Sequence, residues 1–416
     1  MFRLLGKLKP TQSHDTLFGT LRFHHSPRPT MLTRPRAPRI FASLILLATI
    51  LTSNPLNAQQ PGERWSTAKA NLWQEQTPWL VGANFTPAYA INQLEMFQAD
   101  TFDLAAIDRE LAWAEDLGFT SIRVYLHHLL WEQDADGFLE RLDQFLATAD
   151  EHHIGVMLVL FDSVWDPNPQ LGKQRAPQQG LHNSGWVQSP GAKDLKDRSR
   201  HALLESYVKG VVGKFKNDPR VQVWDVWNEP DNLNGNSYGE NNLNQEPQEK
   251  LALVLELLPQ AFEWAREAGA TQPLTAGVWL SDRKADPKRL NEIEKVQLEQ
   301  SDVISFHCYG GLKSLQTWIN HLRPLDRPLI CTEYMARPNG SEFDPILGYF
   351  ADQNIGAYNW GFVAGKSNTI YPWDSWQKPY ADEPPVWFHD IFRADGTPYR
   401  QAEVDYIRKV TDANTK

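Results

Sequence analysis

Short apolar runs alternate with amphipathic stretches along most of the chain after residue 60. The runs are rich in β-branched and aromatic residues, as strands are, whereas the stretches between them repeat apolar residues at helical spacing. The predicted strands are 79–85, 120–126, 154–161, 221–228, 273–279, 302–308, 328–333 and 355–361. The predicted helices are 103–117, 137–152, 199–216, 247–268, 287–299, 312–322, 342–353 and 400–412.

Eight successive βα repeats predict an α/β protein with a (β/α)8 TIM barrel fold. A doubly wound open sheet is the alternative, but such sheets usually carry a glycine-rich phosphate loop after an early strand, and none is present. The connections after strands three, four and eight are long, at 162–198, 230–246 and 362–399. In a barrel all three lie on the face that holds active sites. We therefore predict a single domain with one elaborated face.

The first sixty residues have the pattern of a signal peptide. A basic segment precedes an apolar stretch at 40–51, and Ala58 stands at a plausible cleavage point. We predict a leader and signal peptide over residues 1–58 and a domain over 59–416. Either translation starts at Met31, or residues 1–30 are a disordered leader. The mature protein is then expected to be exported, to the periplasm or the extracellular space. An uncleaved membrane anchor is the competing interpretation.

Composition adds limits on partners. The net charge is −10, and basic residues are concentrated in the leader, so the body is strongly acidic. This argues against nucleic acid and against a stable membrane partner. The two cysteines, Cys308 and Cys331, are predicted to be buried free thiols and not a disulfide. Strand alternation counted from Glu333 puts Cys331 inward, and alternation counted from His307 puts Cys308 outward. The oligomeric state is left open.

No cofactor or metal motif is evident. The chain has no His-Glu-x-x-His sequence and no paired cysteines, and the polar run at 231–236 is typical of a turn, with calcium binding as the less favoured alternative. The sixteen Trp residues are more informative, since a flat indole face stacks on sugar rings, although core packing is the commoner role. Trp373, Trp376 and Trp387, in the loop after strand eight, are predicted to form a sugar platform, with core packing as the alternative.

Polar residues cluster at the carboxyl ends of the predicted strands. The ends carry Asn84, Arg123, Asp162, Asn228, Glu229, His307, Tyr309, Glu333 and Trp360. Two of these are glutamates delivered by different strands. Such a pair can cleave a glycosidic bond, because one carboxyl protonates the leaving oxygen while the other attacks the anomeric carbon.

With these residues the chain resembles the clan A glycoside hydrolases, most closely family 5, from residue 79 to about 410. The resemblance rests on Arg123 in Ile-Arg-Val, Asn228-Glu229-Pro230, His307-Cys308-Tyr309, Glu333, and Trp360 in Tyr-Asn-Trp-Gly. It implies a retaining glycoside hydrolase that acts on a β-linked polysaccharide or oligosaccharide through a glycosyl-enzyme intermediate. Glu229 would be the general acid/base and Glu333 the nucleophile.

The resemblance implies further roles. Arg123 would keep Glu333 ionised, Tyr309 would orient it, and Asn228 would bind the sugar 2-hydroxyl. His307 would contact the substrate or the acid/base, and Trp360 would form the floor under the attacked sugar. Asn84 and Asp162 are further candidates for substrate binding, although Asp162 could instead cap the loop that follows it.

The chain departs from the family pattern at strand three, where Asp162 stands in place of the usual histidine. His127 or His128, after strand two, could supply the missing imidazole. Two other functions fit the same residues: a non-catalytic carbohydrate-binding protein and a transglycosylase. The sugar, its linkage, and end-acting versus internal cleavage do not follow from the sequence.

Overall fold

The computed structural model describes residues 62–235, 246–279 and 287–414. The predicted leader, including Met31 and Ala58, lies outside these residues. All eight predicted barrel strands are present. Some are shorter than predicted, and the others begin and end within a residue or two of the predicted bounds. They are β1 (Val81–Asn84), β2 (Ser121–Tyr125), β3 (Gly155–Asp162), β4 (Val221–Asn228), β5 (Leu274–Thr275), β6 (Ile304–His307), β7 (Leu329–Tyr334) and β8 (Gly356–Asn359).

The strands form one parallel sheet in the order β5-β4-β3-β2-β1-β8-β7-β6, which is the (β/α)8 barrel that the sequence predicts. Between β5 and β6 a single parallel bridge, Val278 to Phe306, completes the circle. β5 is short because a side chain takes the place of a neighbouring strand: the backbone N–H of Ala276 donates to the Ser301 hydroxyl, 3.1 Å away.

Helices alternate with the strands as predicted, and three further helices were not predicted. The additional helices are α1 (Thr67–Gln76), α2 (Gln93–Phe97) and α5 (Ala192–Lys196). The others are α3 (Leu104–Asp116), α4 (His128–Glu151), α6 (His201–Phe215), α7 (Lys250–Glu267), α8 (Glu292–Gln300), α9 (Leu312–Leu322), α10 (Phe343–Asp352) and α11 (Gln401–Asn414). In the described part of the chain no helix has the length and apolar character needed to cross a membrane.

Local signals explain where several helices begin. Asp103 caps α3 by accepting from the N–H of Ala106, and Asn291 forms a capping box with Glu294 at the start of α8. The helix predicted at 137–152 starts earlier, at His128, and has a non-helical residue at Asp134. It is therefore two helical pieces joined at a kink rather than one regular helix.

Buried apolar side chains form three clusters. A large cluster packs between the sheet and the surrounding helices. A small one fills the amino-terminal half of the barrel interior with Leu80, Met157, Val223, Val303, Ile330 and Tyr358. Trp73 of α1 packs against this inner cluster. At the carboxyl-terminal half, polar residues lie beside the third cluster, which includes Tyr125, Trp186 and Trp360, and this is where the site forms.

The predicted orientation of Cys331 is wrong, because β7 does not alternate regularly. Its register against β6 and β8 shifts within Cys331–Tyr334, and such a bulge puts two successive residues on one face. Ile330 therefore lies inside the barrel, Cys331 packs in the outer cluster, and Glu333 still reaches the interior. Both cysteines are buried free thiols, as predicted.

Candidate active site

Arg123 organises the polar half of the barrel. It projects from β2 and is fully buried. Its guanidinium donates to Glu333 Oε1 at 2.8 Å and twice to Asp225 Oδ2, at 2.7 and 3.0 Å. It also donates to Asn84 Oδ1 at 2.8 Å and to Asn228 Oδ1 at 2.7 Å. A buried cation with two carboxylate partners holds both in fixed positions.

Glu333, at the end of β7, is surrounded by donors. Besides Arg123, the hydroxyl of Tyr125 donates to Oε1 at 2.9 Å and that of Tyr309 donates to Oε2 at 2.6 Å. Burial by itself would raise the pKa of Glu333, but the neighbouring His307 and Arg123 charges and the Tyr309 and Arg123 hydrogen bonds lower it below its ordinary value. Glu333 is thus held as a carboxylate.

Glu229 has different surroundings. It directly follows β4 in the left-handed region, at φ 44°, a conformation that non-glycine residues seldom adopt. His307 Nδ1 donates to Oε1 at 2.9 Å, and Asn232 Nδ2 donates to Oε2 at 2.6 Å. Burial and the negative charge of Glu333 raise the pKa of Glu229, although those two hydrogen bonds oppose the change. The pKa of Glu229 thus lies above its ordinary value, which suits a residue that has to donate a proton.

The two carboxyl groups face each other across His307. Its Nδ1 atom, 2.9 Å from Glu229, is also 3.4 Å from Glu333 Oε2. One oxygen of each glutamate and one nitrogen of His307 lie within 4.8 Å of one another. Retaining glycosidases hold their carboxyl groups about 5–5.5 Å apart, whereas inverting enzymes need about 6.5–9.5 Å to admit a water molecule. The spacing therefore favours direct attack by one carboxylate.

A cavity of about 200 Å³ opens above the pair. Six residues that the sequence predicts for the site line it: Asn228, Glu229, Tyr309, Glu333, Trp360 and Trp373. The other lining residues are Val164, Trp165, His182, Asn183, Asn232 and Trp279. Asn84, Arg123 and His307 lie behind this surface, where they bind the side chains that line it.

Three further residues that were predicted to contact the substrate do not face the cavity. Both oxygens of Asp162 are occupied, by Asn228 Nδ2 and the Val164 N–H on one side and by Trp186 Nε1 on the other. Asp162 therefore fixes Asn228 and the following loop instead of facing the cavity, and burial raises its pKa to about 8. Trp376 and Trp387 are each 1% exposed, and Trp376 packs on Trp165. Of the three tryptophans predicted for the platform, Trp373 alone lines the cavity.

The suggested replacements for the strand-three histidine are also elsewhere. His127 Nε2 bonds to the Gln188 carbonyl, and His128 Nε2 bonds to Asp194, both fully buried outside the cavity. A different histidine reaches the cavity: His182, in the loop after β3. The sequence does not indicate that His182 lines the cavity, because the residue lies in a long connection that reaches the cavity only when the loop folds back across the barrel.

Four further residues of the site were not predicted, although sequence features of some of them indicate a place there. Tyr125 is two residues from Arg123, and therefore on the same strand face. Asp225 is a charged residue within the apolar run of β4, and such a residue is rarely buried unless paired. Trp279 ends the predicted fifth strand, and its Nε1 donates to Asp231 at 2.7 Å. Asn232 closes a turn back onto Glu229.

Comparison with known proteins identifies similar sequences and folds. Residues 92–409 match the family described as cellulase, glycosyl hydrolase family 5. The "Probable mannan endo-1,4-beta-mannosidase A-1" of Aspergillus terreus is 31% identical over 96 residues. That alignment covers only 23% of this chain and 22% of that protein.

Two solved structures share the fold. The exo-beta-1,4-mannosidase of Opitutaceae bacterium strain TAV5 superposes with a TM-score of 0.54 at 18% identity, covering 80% of this chain and 59% of that one. The endo-beta-1,4-mannanase of Thermotoga petrophila superposes with a TM-score of 0.50 at 15% identity, covering 82% and 78%. At these identities the likeness concerns the barrel alone.

Proposed function

The chain belongs to glycosyl hydrolase family 5, and on that premise we propose that it is a retaining glycoside hydrolase that cleaves β-linked glycosidic bonds. The observation that carries the proposal is the pair of glutamates whose oxygens lie within 4.8 Å and whose neighbours shift their pKa values in opposite directions. Two titratable groups separated in this way are suited to be an acid and a nucleophile.

In the first step Glu333 attacks the anomeric carbon while Glu229 protonates the departing oxygen. The bond from the anomeric carbon to that oxygen breaks, and an ester bond to Glu333 forms. In the second step Glu229, now ionised, takes a proton from water, and the water oxygen displaces Glu333. Two inversions at one carbon leave the configuration of the sugar unchanged.

The surrounding residues serve these steps. Tyr309 and Tyr125 hold the attacking carboxylate through its two oxygens. His307 and Asn232 hold the acid. Asn228 is fixed by Arg123 and Asp162, so its amide is positioned for a hydroxyl of the bound sugar. Trp360 lines the cavity and offers an apolar face to the ring.

The substrate panel should begin with β-mannosides, because the curated relative is named as a mannan endo-1,4-beta-mannosidase. Names of the solved neighbours include an exo-mannosidase and an endo-mannanase, so they leave the mode of cleavage open. No nucleic-acid or stable membrane partner is proposed, and the acidic composition supports this.

The test uses a panel of 4-nitrophenyl β-glycosides with proton NMR of the first product formed. We expect a β-configured sugar to appear before mutarotation. A 2-deoxy-2-fluoro glycosyl fluoride of the same sugar should label a peptide that contains Glu333, and Glu333→Gln should not be labelled. An α-configured first product, or labelling elsewhere, would reject the double-displacement mechanism.

The proposal extends to location: the protein is exported after cleavage near Ala58. The support is the order of basic, apolar and small residues between 34 and 58. N-terminal sequencing of protein purified from its native source should begin near Gln59. Mature protein that retains residues before Ala58 would contradict cleavage at this point.

A further inference from the structure

Two long loops meet over one end of the cavity. The β3 loop (residues 163–191) joins the β8 loop (residues 360–400) through hydrogen bonds in both directions. The N–H of Asn183 donates to the Ser367 carbonyl, and the N–H of Tyr380 donates to the Gly180 carbonyl, each at 3.0 Å. Side chains add further bonds, from Asn368 to Leu181 and Gln178, from Gln179 to Ala381, and from His182 to Ser375 and Tyr371.

The contact between the loops is too close for a larger residue at its centre. A β-carbon placed on Gly180 would lie 1.8 Å from the Tyr380 carbonyl oxygen, and Gly180 has a φ of 74°. Glycine satisfies both requirements because it lacks a β-carbon and adopts positive φ readily. The joined loops, called the loop seam below, are thus a backbone-packed wall rather than a loose contact between flexible tips.

The loop seam divides the space above the barrel. Asn183 lines the 200 Å³ cavity on one side and a second cavity of only about 20 Å³ on the other. The small cavity lies behind Trp360 and is also lined by Ser367 and Thr369 of the β8 loop. No second sugar ring fits there, so a chain of sugars cannot continue past Trp360 in this direction.

The chemistry decides which end of the substrate meets the loop seam. The anomeric carbon lies at Glu333 and the leaving oxygen at Glu229, so the leaving group extends toward the β4 end, where Asn232 and Trp279 line the cavity. In a pyranose ring C4 lies opposite C1, and O4 therefore points away from Glu229. In the sheet, β3, β2 and β1 lie between β4 and β8, and the β3 loop covers this side of the barrel. The non-reducing end of the sugar, which carries O4, therefore meets the loop seam.

The loop seam presents acceptors to that end of the sugar. The buried side-chain oxygen Oδ1 of Asn183 has no hydrogen-bond partner in the protein, although the residue is 1% exposed. His182 Nδ1 donates to the Tyr371 carbonyl at 2.8 Å, which leaves Nε2 of the neutral ring as an acceptor in the cavity wall. Burial lowers the pKa of His182 to about 4, so the ring stays neutral near pH 7. A buried acceptor without a partner is costly unless a ligand supplies a donor.

Resting on the glycosidase activity proposed above, we propose that the loop seam makes this enzyme exo-acting. It closes the cavity beyond one sugar, and Asn183 and His182 bind hydroxyls at the non-reducing end of that terminal sugar. The enzyme would then release single sugars from chain ends and leave internal bonds uncleaved.

The first test compares two versions of one substrate. A reducing-end-labelled β-1,4-mannotetraose is assayed beside the same tetrasaccharide carrying a 4-O-methyl cap on its non-reducing sugar, with cello- and xylotetraose pairs in parallel. We expect shortening by one sugar at a time for the uncapped form and at least a 100-fold lower rate for the capped form. An endo-acting enzyme would cleave both at internal bonds.

The outcomes separate the two proposals. Equal cleavage of capped and uncapped chains would overturn exo action while leaving the glycosidase proposal intact. If neither chain were cleaved while an aryl β-glycoside was, the loop-seam proposal would also fail, because a free chain end should be accepted. If no tetrasaccharide and no aryl glycoside reacted, the glycosidase proposal itself would fail, and the exo proposal with it.

The second test concerns Asn183 itself. Asn183→Gly removes the acceptor but tolerates the φ of 46° and keeps the N–H bond to Ser367. We expect kcat/KM on uncapped substrate to fall roughly 2- to 10-fold, the effect of one neutral hydrogen bond, and the discrimination against the cap to weaken. Asn354→Gly is the matched control, an exposed asparagine at φ 49° remote from the site. Unchanged discrimination in Asn183→Gly would rule out its contact with the chain end.

Discussion

The surroundings of Glu229 and Glu333 differ although the two side chains are identical. Glu333 receives hydrogen bonds from a buried guanidinium and two tyrosine hydroxyls. Glu229 receives one from a histidine and one from an asparagine, and has the charge of Glu333 nearby. Both groups are buried, so desolvation acts on both. The difference between their pKa values therefore comes from the neighbouring groups, which favour a carboxylate at Glu333 and an acid at Glu229.

Removing Glu333 should cause the largest loss of activity. We expect Glu333→Ala to lower kcat by on the order of 10⁴-fold or more, because the residue that forms the covalent intermediate is lost. Added azide should restore part of the turnover and yield a glycosyl azide of inverted configuration, detected by NMR. Hydrolysis near the wild-type rate would show that another group attacks.

Removing Glu229 should have a smaller and more selective effect. A general acid contributes typically 10²- to 10⁴-fold, and that contribution depends on how basic the leaving group is. We therefore expect Glu229→Ala to lose about this much on alkyl glycosides and far less in the glycosylation step of dinitrophenyl glycosides. Pre-steady-state rates on both substrates provide the comparison. A uniform loss would argue against Glu229 as the acid.

Replacing Arg123 with methionine should destabilise the fold and raise the pKa of Glu333. Asp225 and Glu333 would remain buried without their cation, which costs about 3–5 kcal/mol of unfolding free energy. The pKa of Glu333 is lower in the folded enzyme than in the unfolded chain. Its ionisation therefore stabilises the fold at pH values above the pKa of the unfolded chain. This stabilisation is lost as the pH falls through the pKa of the folded enzyme.

The stability deficit of Arg123→Met should accordingly be largest near neutral pH. It should narrow as the pH falls through the raised pKa of Glu333 in the variant, where the carboxylate that has lost its cation takes up a proton. Urea unfolding at several pH values measures it. The acidic limb of the kcat/KM profile should also move to higher pH. Arg123→Lys is the control: it keeps the charge, so the limb should move less, while the lost fork of hydrogen bonds still lowers stability. A deficit independent of pH would contradict the electrostatic account.

The smallest effect is expected at Asn232, on the acid side. Its hydrogen bond to Glu229 Oε2 favours the ionised form, so Asn232→Ala should raise the pKa of Glu229 further. The basic limb of kcat/KM should shift to higher pH, and kcat should fall less than about tenfold. The acidic limb, set by Glu333, should not move. A shift of both limbs would mean that the site as a whole is disturbed.

The barrel and its glutamate pair are largely predictable from sequence because they depend on local patterns. A buried parallel strand needs an apolar run, and the residue at its carboxyl end reaches the active face whatever the loops do. Arg123, Glu229 and Glu333 are therefore identifiable one strand at a time, and the structure brings them into one constellation. The short β5 and the kinked α4 deviate because tertiary contacts and a local backbone break override the pattern.

Tertiary structure alone decided three further properties. The bulge in β7 reverses the orientation of Cys331, and alternation cannot reveal a residue inserted into a strand. Trp373 lines the cavity, whereas Trp376, three residues away, is buried against Trp165 of the β3 loop. The third is the loop seam, where residues 190 and 202 positions apart in the sequence form hydrogen bonds. Contacts between distant loops depend on the path of the whole chain, and no local spacing records that path.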